Sequence, residues 1–293
     1  MTKTARTAAA PRLFCFGYGF SAAALGRRLA ARGWHVSGTK RSPQGSGHFA
    51  FDGETPMADP GAALAGTTHL LLSVPPGASG DPVLAHHGEH IVGLENLAWL
   101  GYLSTTGVYG DRAGGWVDEG SAIEPTGERG QRRVDAEAGW RALAEAHGLP
   151  LHIFRLAGIY GPGRSALDSV RRGKAKRIDK PGQVFSRIHV EDIASVLEAS
   201  IARPAPGAVY NLCDDDPAPP AEVVAHACEL LGQAPPPLIP FAEAELSPMG
   251  RSFYRDNKRV SNRRIKDELG VTLRYPSYQV GLRALLDQDE SGI

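Results

Sequence analysis

A glycine-rich turn near the amino terminus has the residue types needed to bind a pyrophosphate. Residues 17–22 read Gly-Tyr-Gly-Phe-Ser-Ala, a GxGxxA pattern. In such a pattern Gly17 allows a tight turn, Gly19 lets the backbone approach the phosphates, and the small Ala22 lets the next helix pack on the preceding strand. A helix that begins here also directs free N–H groups and the positive end of its dipole at the phosphates. We therefore expect this turn to bind a dinucleotide, with contacts from Gly17, Gly19, Phe20, Ser21 and Ala22.

The residues that follow the second predicted strand bear on which dinucleotide binds. A site that prefers NAD carries Asp or Glu there to bond the ribose 2′-hydroxyl. This chain has Thr39, Lys40, Arg41 and a serine, and two cations with two hydroxyls suit a 2′-phosphate. The sequence therefore predicts NADP as the preferred cofactor, with NAD possible. Asp52, after the strand-like segment 48–51, is a further candidate, close to the adenine.

Short apolar runs alternate with longer amphipathic stretches along the chain. Strand-length runs lie at residues 13–16, 34–38, 69–74, 99–105 and 151–156, and helical stretches include 21–32, 132–147 and 190–202. Buried strands that alternate with helices are typical of a parallel sheet covered on both faces and joined by right-handed crossovers. The sequence thus predicts an α/β fold, a Rossmann-type doubly wound parallel sheet.

The character of the chain changes after about residue 160, which suggests two regions. We expect an NADP-binding Rossmann domain over 12–162 and a smaller C-terminal substrate region over 163–286, of which 187–212 returns to the sheet. Residues 1–11 lack the apolar stretch of a signal peptide and are interpreted as a flexible tail. The chain is accordingly expected to be cytoplasmic.

Composition excludes several classes of function. Lys and Arg total 32 and Asp and Glu total 32, so the chain lacks the basic surplus of a general nucleic-acid binder. Its three cysteines are far apart, which indicates neither a disulfide framework nor a clustered zinc site. The string His-His-Gly-Glu-His at 86–90 matches an inverted zinc-protease pattern, but Gly88 interrupts it and no metal is predicted. The apolar runs fall far short of the ~20 residues that span a bilayer, so no membrane partner is expected.

Several segments, in this order, resemble the extended short-chain dehydrogenase/reductases, the NAD-dependent epimerase/dehydratase group. They are STTGVYGD (104–111), GWVDE (115–119), LAGIYGPGR (156–164), RIHVEDIA (187–194) and VYNLCDDDP (209–217). The resemblance implies that a nicotinamide transfers hydride while a Ser or Thr, a Tyr and a Lys transfer protons. By the same resemblance, Thr105 holds the hydroxyl position and bonds a substrate oxygen.

The chain departs from that family where the Tyr-x-x-x-Lys pair is expected. Arg129 stands at the tyrosine position and Arg133 at the lysine position. A guanidinium, with a pKa above ~12, does not readily give up a proton at neutral pH. We therefore predict that the usual proton relay is absent. In this interpretation Arg133 hydrogen-bonds the nicotinamide ribose and Arg129 binds an anionic substrate group.

Two tyrosines elsewhere in the chain are possible replacements for the missing acid. Tyr109 is near Thr105 in sequence and is the first candidate, although the family uses tyrosine in this turn for packing. The string from Tyr254 to Lys258 is the chain's only Tyr-x-x-x-Lys, and chance spacing is the favoured explanation.

The substrate side is marked by positive charge. Residues 171–180 contain six basic residues and one acid. An exposed basic loop is the simpler explanation, and the sharper hypothesis is that Arg187, Arg251 and Arg255, with parts of this run, attract an anionic substrate such as a nucleotide diphosphate-sugar. Family members often form dimers, so a homodimer is possible.

Two functions follow from these observations. The first is an NADP-binding oxidoreductase or epimerase/dehydratase-like enzyme that acts on a nucleotide-sugar or another small polar anionic metabolite. The second is a catalytically silent dinucleotide-binding sensor or regulatory protein. The replacement at Arg129 and Arg133 discriminates between them, and it favours the second more than any other feature does.

Overall fold

The computed structural model of the chain describes residues 10–43, 45 and 47–290. The predicted tail at 1–11 lies outside these residues, apart from its last two. The strands are β1 (Arg12–Phe16), β2 (His35–Lys40), β3 (His48–Ala50), β4 (His69–Leu72), β5 (Trp99–Thr105), β6 (Trp116–Val117), β7 (Leu151–Leu156), β8 (Gly158–Tyr160), β9 (Arg177–Asp179), β10 (Arg187–His189), β11 (Val209–Leu212), β12 (Leu238–Pro240) and β13 (Arg259–Val260).

Ten α-helices connect or cover these strands within the described residues. They are α1 (Phe20–Ala30), α2 (Pro60–Leu64), α3 (Pro82–Val92), α4 (Glu128–His147), α5 (Ala166–Arg171), α6 (Val190–Ala202), α7 (Pro220–Leu230), α8 (Pro248–Phe253), α9 (Arg263–Asp267) and α10 (Tyr278–Glu290). A short 3₁₀ helix, Thr106–Tyr109, follows β5 directly.

Seven of the strands form one parallel sheet in the order β11-β7-β5-β4-β1-β2-β3. The chain runs outward from β1 through β2 and β3, then returns to the other side of β1 at β4. This reversal leaves a crevice at the carboxyl ends of β1 and β4, which is where open parallel sheets bind ligands. The predicted doubly wound Rossmann-type sheet is confirmed.

Alternate residues of β1 belong to two separate apolar layers, one on each face of the sheet. Leu13 and Cys15 pack with α1 and α6 on one face of the sheet. Phe14 and Phe16 pack with Trp140 of α4 on the other. These four side chains are fully buried, because a strand inside a parallel sheet is covered on both faces.

Two small parallel pairs attach the C-terminal region to the rest of the chain, β8 with β10 and β6 with β13, and a third pair, β9 with β12, lies within that region. Strand β11 returns to the large sheet, where it pairs with β7 at the edge. The domain boundaries given above remain a prediction.

Two element boundaries differ from the sequence-based expectation. Helix α4 begins at Glu128 rather than at 132, because extended Gly127 caps it and Glu128 lies at its positive end. Strand β2 extends to Lys40, because Thr39 and Lys40 pair with Phe49 and Ala50 of β3. Among the described residues, no helix combines the length and apolar character that a bilayer crossing requires.

Candidate functional site

The glycine turn is fastened to the end of β2. The Gly17 amide donates to the Thr39 hydroxyl at 2.8 Å, and the Tyr18 amide donates to the Thr39 carbonyl at 2.7 Å. Gly17 has a φ of +83°, and a Cβ there would lie 3.1 Å from the Val74 side chain and backbone. Glycine is therefore required at this position both by the backbone angle and by the space available.

Helix α1 starts immediately after this turn. Gly19 is its N-cap, without a side chain, and its first turn contains no acidic residue. The first amides of a helix have no intrahelical partner, so this end presents free N–H groups. Ser21 and Ala22 are buried, so their contact with a ligand would be through the backbone.

The four polar residues predicted to contact the adenosine end differ in exposure. Thr39 is 1% exposed and its hydroxyl accepts a hydrogen bond from the Gly17 amide, so its side chain fastens the turn to β2. Lys40 is half-buried, whereas Arg41 is exposed and makes no hydrogen bond or ion pair to another described residue. Asp52 accepts hydrogen bonds from the amides of residues 54 and 55, which lower the pKa of its carboxyl.

A cleft of about 360 Å³ opens beside the start of α1. Its lining consists of Tyr18, Gly19, Phe20, Ala23, Arg27, Lys40, Pro162 and Val190. The cleft thus joins the glycine turn, the end of β2 and the loop after β8. Two of the lining residues are cations, which suits an anionic ligand.

Thr105 is the last residue of β5, and the side chain of Arg133, from α4, contacts the same end of this strand. The Thr105 hydroxyl accepts a hydrogen bond from the Gly107 amide at 3.1 Å. Arg133 donates from Nη1 to the Leu103 carbonyl at 2.6 Å and to the Tyr102 hydroxyl at 3.3 Å. The structure therefore brings these two candidates to one edge of the sheet, with Arg133 held against the strand.

Arg129 and Arg255 both lie near the start of α4. The exposed Arg129 guanidinium lies 5.7 Å from the ring centre of Phe253 in α8. Arg255 donates to the Thr126 carbonyl at 3.2 Å, and the Thr126 hydroxyl bonds Asp256. The C-terminal region thus contacts the first turn of α4, where Arg129 of the helix and Arg255 of that region are both exposed.

Tyr109 lies inside the protein, in a polar network. Its hydroxyl donates to Asn211 Oδ1 at 2.7 Å and accepts from Arg155 Nη1 at 3.0 Å. Its side chain has no exposed surface, and burial raises the pKa of the phenol. This environment favours a structural role for Tyr109 over the proton-transfer role considered from the sequence.

The same network contains residues that the sequence analysis missed. Glu137 of α4 receives hydrogen bonds from Arg155 and from the Ser104 hydroxyl. The available signal was Arg155 itself, a charged residue inside the apolar strand 151–156, which is rarely buried without a partner.

Seven of the eight tyrosines are no more than 9% exposed. Tyr254 packs between Phe185 and Phe241 in the C-terminal region, away from Lys258, which donates to the Gly110 carbonyl. The half-buried exception is Tyr18, in the glycine turn.

The predicted substrate arginines of the C-terminal region are mostly engaged with backbone. Arg187 donates to the carbonyls of Phe185 and Ala218, at 2.8 and 3.1 Å, and Arg251 donates to Ala244 at 2.9 Å. The basic run at 171–180 also has partners, since Arg171 pairs with an aspartate of α10 and two of its lysines donate to carbonyls of residues 245 and 254. These contacts use those groups to attach C-terminal segments to each other.

The histidine string at 86–90 lies on α3. His87 is fully buried, stacks on Phe16 and accepts a hydrogen bond from the Met57 amide. Within residues 10–43, 45 and 47–290, no group of three or more metal-ligating side chains is found.

No protein-family model matches the chain. The chain is 29% identical to Protein YeeZ of Escherichia coli K12 over 287 residues, which cover 89% of this chain and 94% of YeeZ. A solved structure of a functionally unknown conserved protein from Silicibacter pomeroyi DSS is 52% identical. Its TM-score is 0.88, over 95% of this chain and 99% of that one.

Two solved structures with bound dinucleotides share the fold at lower identity. MoeE5 in complex with UDP-glucose and NAD is 20% identical, with a TM-score of 0.79 over 97% of this chain and 99% of that chain. The human epimerase family protein SDR39U1 with NADPH is 19% identical, with a TM-score of 0.73 over 94% of this chain and 99% of that chain. The chain therefore belongs to the same family as the conserved Silicibacter pomeroyi protein and has the extended short-chain dehydrogenase/reductase fold of the NAD-dependent epimerases and dehydratases.

Proposed function

We propose that this protein is an NADP-binding oxidoreductase or epimerase/dehydratase-like enzyme acting on a nucleotide-sugar or another small polar anionic metabolite. The observation that carries the proposal is the glycine turn fastened to β2 through Thr39, with Lys40 and Arg41 directly after it. The turn fits a dinucleotide, because Gly17 permits its tight bend and Gly19, without a side chain, leaves space beside the start of α1.

The choice of NADP over NAD rests on charge. An acidic residue at the end of β2 would repel a 2′-phosphate, and this chain has cations there. Proteins with this fold bind either form, since MoeE5 is complexed with NAD and SDR39U1 with NADPH. Arg41 is exposed and without a protein partner among the described residues, so its guanidinium is free to pair with a phosphate.

A bound nicotinamide supplies or accepts hydride. The Thr105 hydroxyl oxygen accepts a hydrogen bond from the Gly107 amide, so its own proton is free to be donated to a substrate oxygen. Arg133 is fixed by the Leu103 carbonyl, and its remaining N–H groups are available for the ribose hydroxyls. Thr105 therefore orients the substrate and Arg133 orients the cofactor.

The anionic part of the substrate is assigned to the first turn of α4. Arg129 and Arg255 are both exposed there and belong to different regions of the chain. Two guanidiniums held by Phe253 and the Thr126 carbonyl suit a phosphate or carboxylate. Arg187 and Arg251 are less suited to bind the anionic group, because their guanidiniums already donate to backbone carbonyls.

A second candidate function is a dinucleotide-binding sensor or regulatory protein without turnover. It is favoured by the burial of seven tyrosines, which leaves Tyr18 as the accessible phenol. Together with arginines at positions 129 and 133, this supports a site that binds the cofactor but lacks a tyrosine acid.

Titration of the purified protein with NADPH and NADH tests the proposal, followed by a panel of UDP-sugars, dTDP-sugars and small carbonyl compounds. We expect tighter binding of NADPH, and weaker discrimination in Arg41→Glu. Binding without oxidation of NADPH by any compound would favour the sensor. Failure to bind either dinucleotide would overturn both functions.

A further inference from the structure

We infer that Tyr18 is a positioning residue that sets the preference for the phosphorylated dinucleotide, by holding the Lys40 ammonium at the wall of the cleft. This inference rests on the proposed function and assigns a specificity role to a residue of the glycine turn. The relevant ligand chemistry is a phosphate monoester on the ribose next to the pyrophosphate.

The Tyr18 ring is held in place from three sides. Its backbone amide is bonded to the Thr39 carbonyl at 2.7 Å. The ring lies on Gly26 of α1, where it occupies the space that a Cβ would need. The edge of the His48 ring packs against it, with centroids 4.9 Å apart and planes at 62°. These contacts define the position of the ring at the wall of the cleft.

The Lys40 ammonium lies over this ring, 5.7 Å from the ring centre. Burial raises the pKa of the Tyr18 phenol, so the ring is neutral near pH 7 and attracts the cation through its π-face. Burial and Lys40 both lower the pKa of His48, so the imidazole beside them is also uncharged near pH 7. One fixed positive charge results, on a half-buried side chain.

The charge of Lys40 is available to a ligand. Lys40 has no acidic partner among the described residues, whereas Arg27, the other cation of the cleft, pairs with Glu191 at 3.2 Å. Lys40 lines the same cleft as Gly19, where α1 presents its free amides.

Fixing the ammonium before binding matters because lysine is flexible. An unanchored lysine loses rotamer entropy when it pairs with a phosphate, and a lysine already held on a ring loses less. Only a ligand with the 2′-phosphate gains from this, so the ring affects the affinity for NADPH relative to NADH. The aromatic face is needed, and the hydroxyl is not.

The test compares Tyr18→Leu, Tyr18→Phe, Lys40→Met and the double variant Tyr18→Leu/Lys40→Met. Dissociation constants are measured for NADPH and NADH, and for adenosine 2′,5′-bisphosphate against 5′-AMP, which needs no turnover. We expect Tyr18→Phe to keep the ratio of affinities and Tyr18→Leu to lower it by about three- to tenfold. Lys40→Met lowers it at least as far, and adding Tyr18→Leu to Lys40→Met has no further effect.

The possible results separate this inference from the proposed function. If the wild type prefers NADPH but Tyr18→Leu or Lys40→Met leaves the ratio unchanged, the inference is wrong and the proposed function stands. The inference is also wrong if the effects of the two single substitutions on the ratio add up in the double variant, since the two side chains would then act independently. If Tyr18→Phe loses the preference for NADPH, the hydroxyl and not the aromatic face is responsible, which would also overturn the inference. If Tyr18→Leu does not fold, Lys40→Met and Tyr18→Phe still decide the matter. A wild type that binds neither dinucleotide overturns both proposals.

Discussion

Arg155 of β7 and Glu137 of α4 form a buried, two-pronged ion pair, with Nε–Oε1 at 3.1 Å and Nη2–Oε2 at 2.7 Å. Their side chains are 5% and 6% exposed. The Ser104 hydroxyl donates to the same carboxylate, and Arg155 also donates to Tyr109. The pair therefore ties the helix that carries Arg129 and Arg133 to the two strands beside the candidate site.

Removing the charge of Glu137 is expected to destabilise the fold strongly. In Glu137→Gln the guanidinium of Arg155 stays buried without its counter-ion, which costs about 3 kcal/mol or more of unfolding free energy. Urea unfolding followed by circular dichroism measures this loss. Glu128→Gln is the control, because Glu128 is exposed in the same helix and its pair with Arg132 contributes less than about 0.5 kcal/mol. Equal, small losses in both variants would show that the buried pair is not important for stability.

Tyr109→Phe separates a structural from a proton-transfer role. The variant leaves Asn211 Oδ1 and one nitrogen of Arg155 without their partner, so we expect a loss of about 1–3 kcal/mol in stability. If turnover is found, the rate per folded molecule should be unchanged. A large fall in kcat at unchanged stability would instead restore Tyr109 as the acid.

Gly17→Ala tests the glycine turn against a matched position. Gly17 and Gly33 have φ values of +83° and +82°, but a Cβ at Gly33 would meet nothing within 4 Å. Both alanine variants should lose about 1–2 kcal/mol from backbone strain. We expect only Gly17→Ala to weaken NADPH binding, by at least about tenfold, because its Cβ also presses on Val74 at the crevice. Equal affinities in the two variants would argue against a dinucleotide at this turn.

The raised pKa of the Asp214 carboxyl predicts that the stability of the protein depends on pH. Asp214 is 1% exposed, and burial raises the pKa of its carboxyl to about 8, against the opposing effects of the Asp216 amide and Arg187. The unfolded chain releases this proton near pH 4, so the stabilising contribution is complete below that pH and is lost as the pH rises to about 8. Three histidines, at positions 69, 87 and 189, have pKa values lowered to about 4, so their effect falls mainly below pH 6.5.

Comparing the unfolding free energy at pH 6.5 and at pH 8 isolates the effect of Asp214 from that of the histidines. The wild type should lose up to about 1.4 kcal/mol of unfolding free energy per pH unit relative to Asp214→Asn. Asp267→Asn, at an exposed carboxylate, should follow the wild type. Parallel curves for the wild type and Asp214→Asn would show that Asp214 is ionised throughout this range.

The sequence by itself determined the sheet and the glycine turn after β1. The runs at 99–105 and 151–156 match β5 and β7 at both ends, because a strand buried on both faces is mostly apolar even where it carries a paired polar residue such as Arg155. The turn was predictable from the sequence because its backbone angle and the nearby Val74 restrict position 17 to glycine.

Only the tertiary structure decided which polar groups are free to do chemistry. Thr39 was predicted to face the ligand, yet its hydroxyl bonds the Gly17 amide, because the turn folds back over the end of β2. Tyr109 was a candidate acid by its distance from Thr105 in sequence, yet it bonds Arg155 and Asn211, which are 46 and 102 residues away. Such partners come together through the packing of distant strands and helices, and no local pattern of residue types records which side chains will meet.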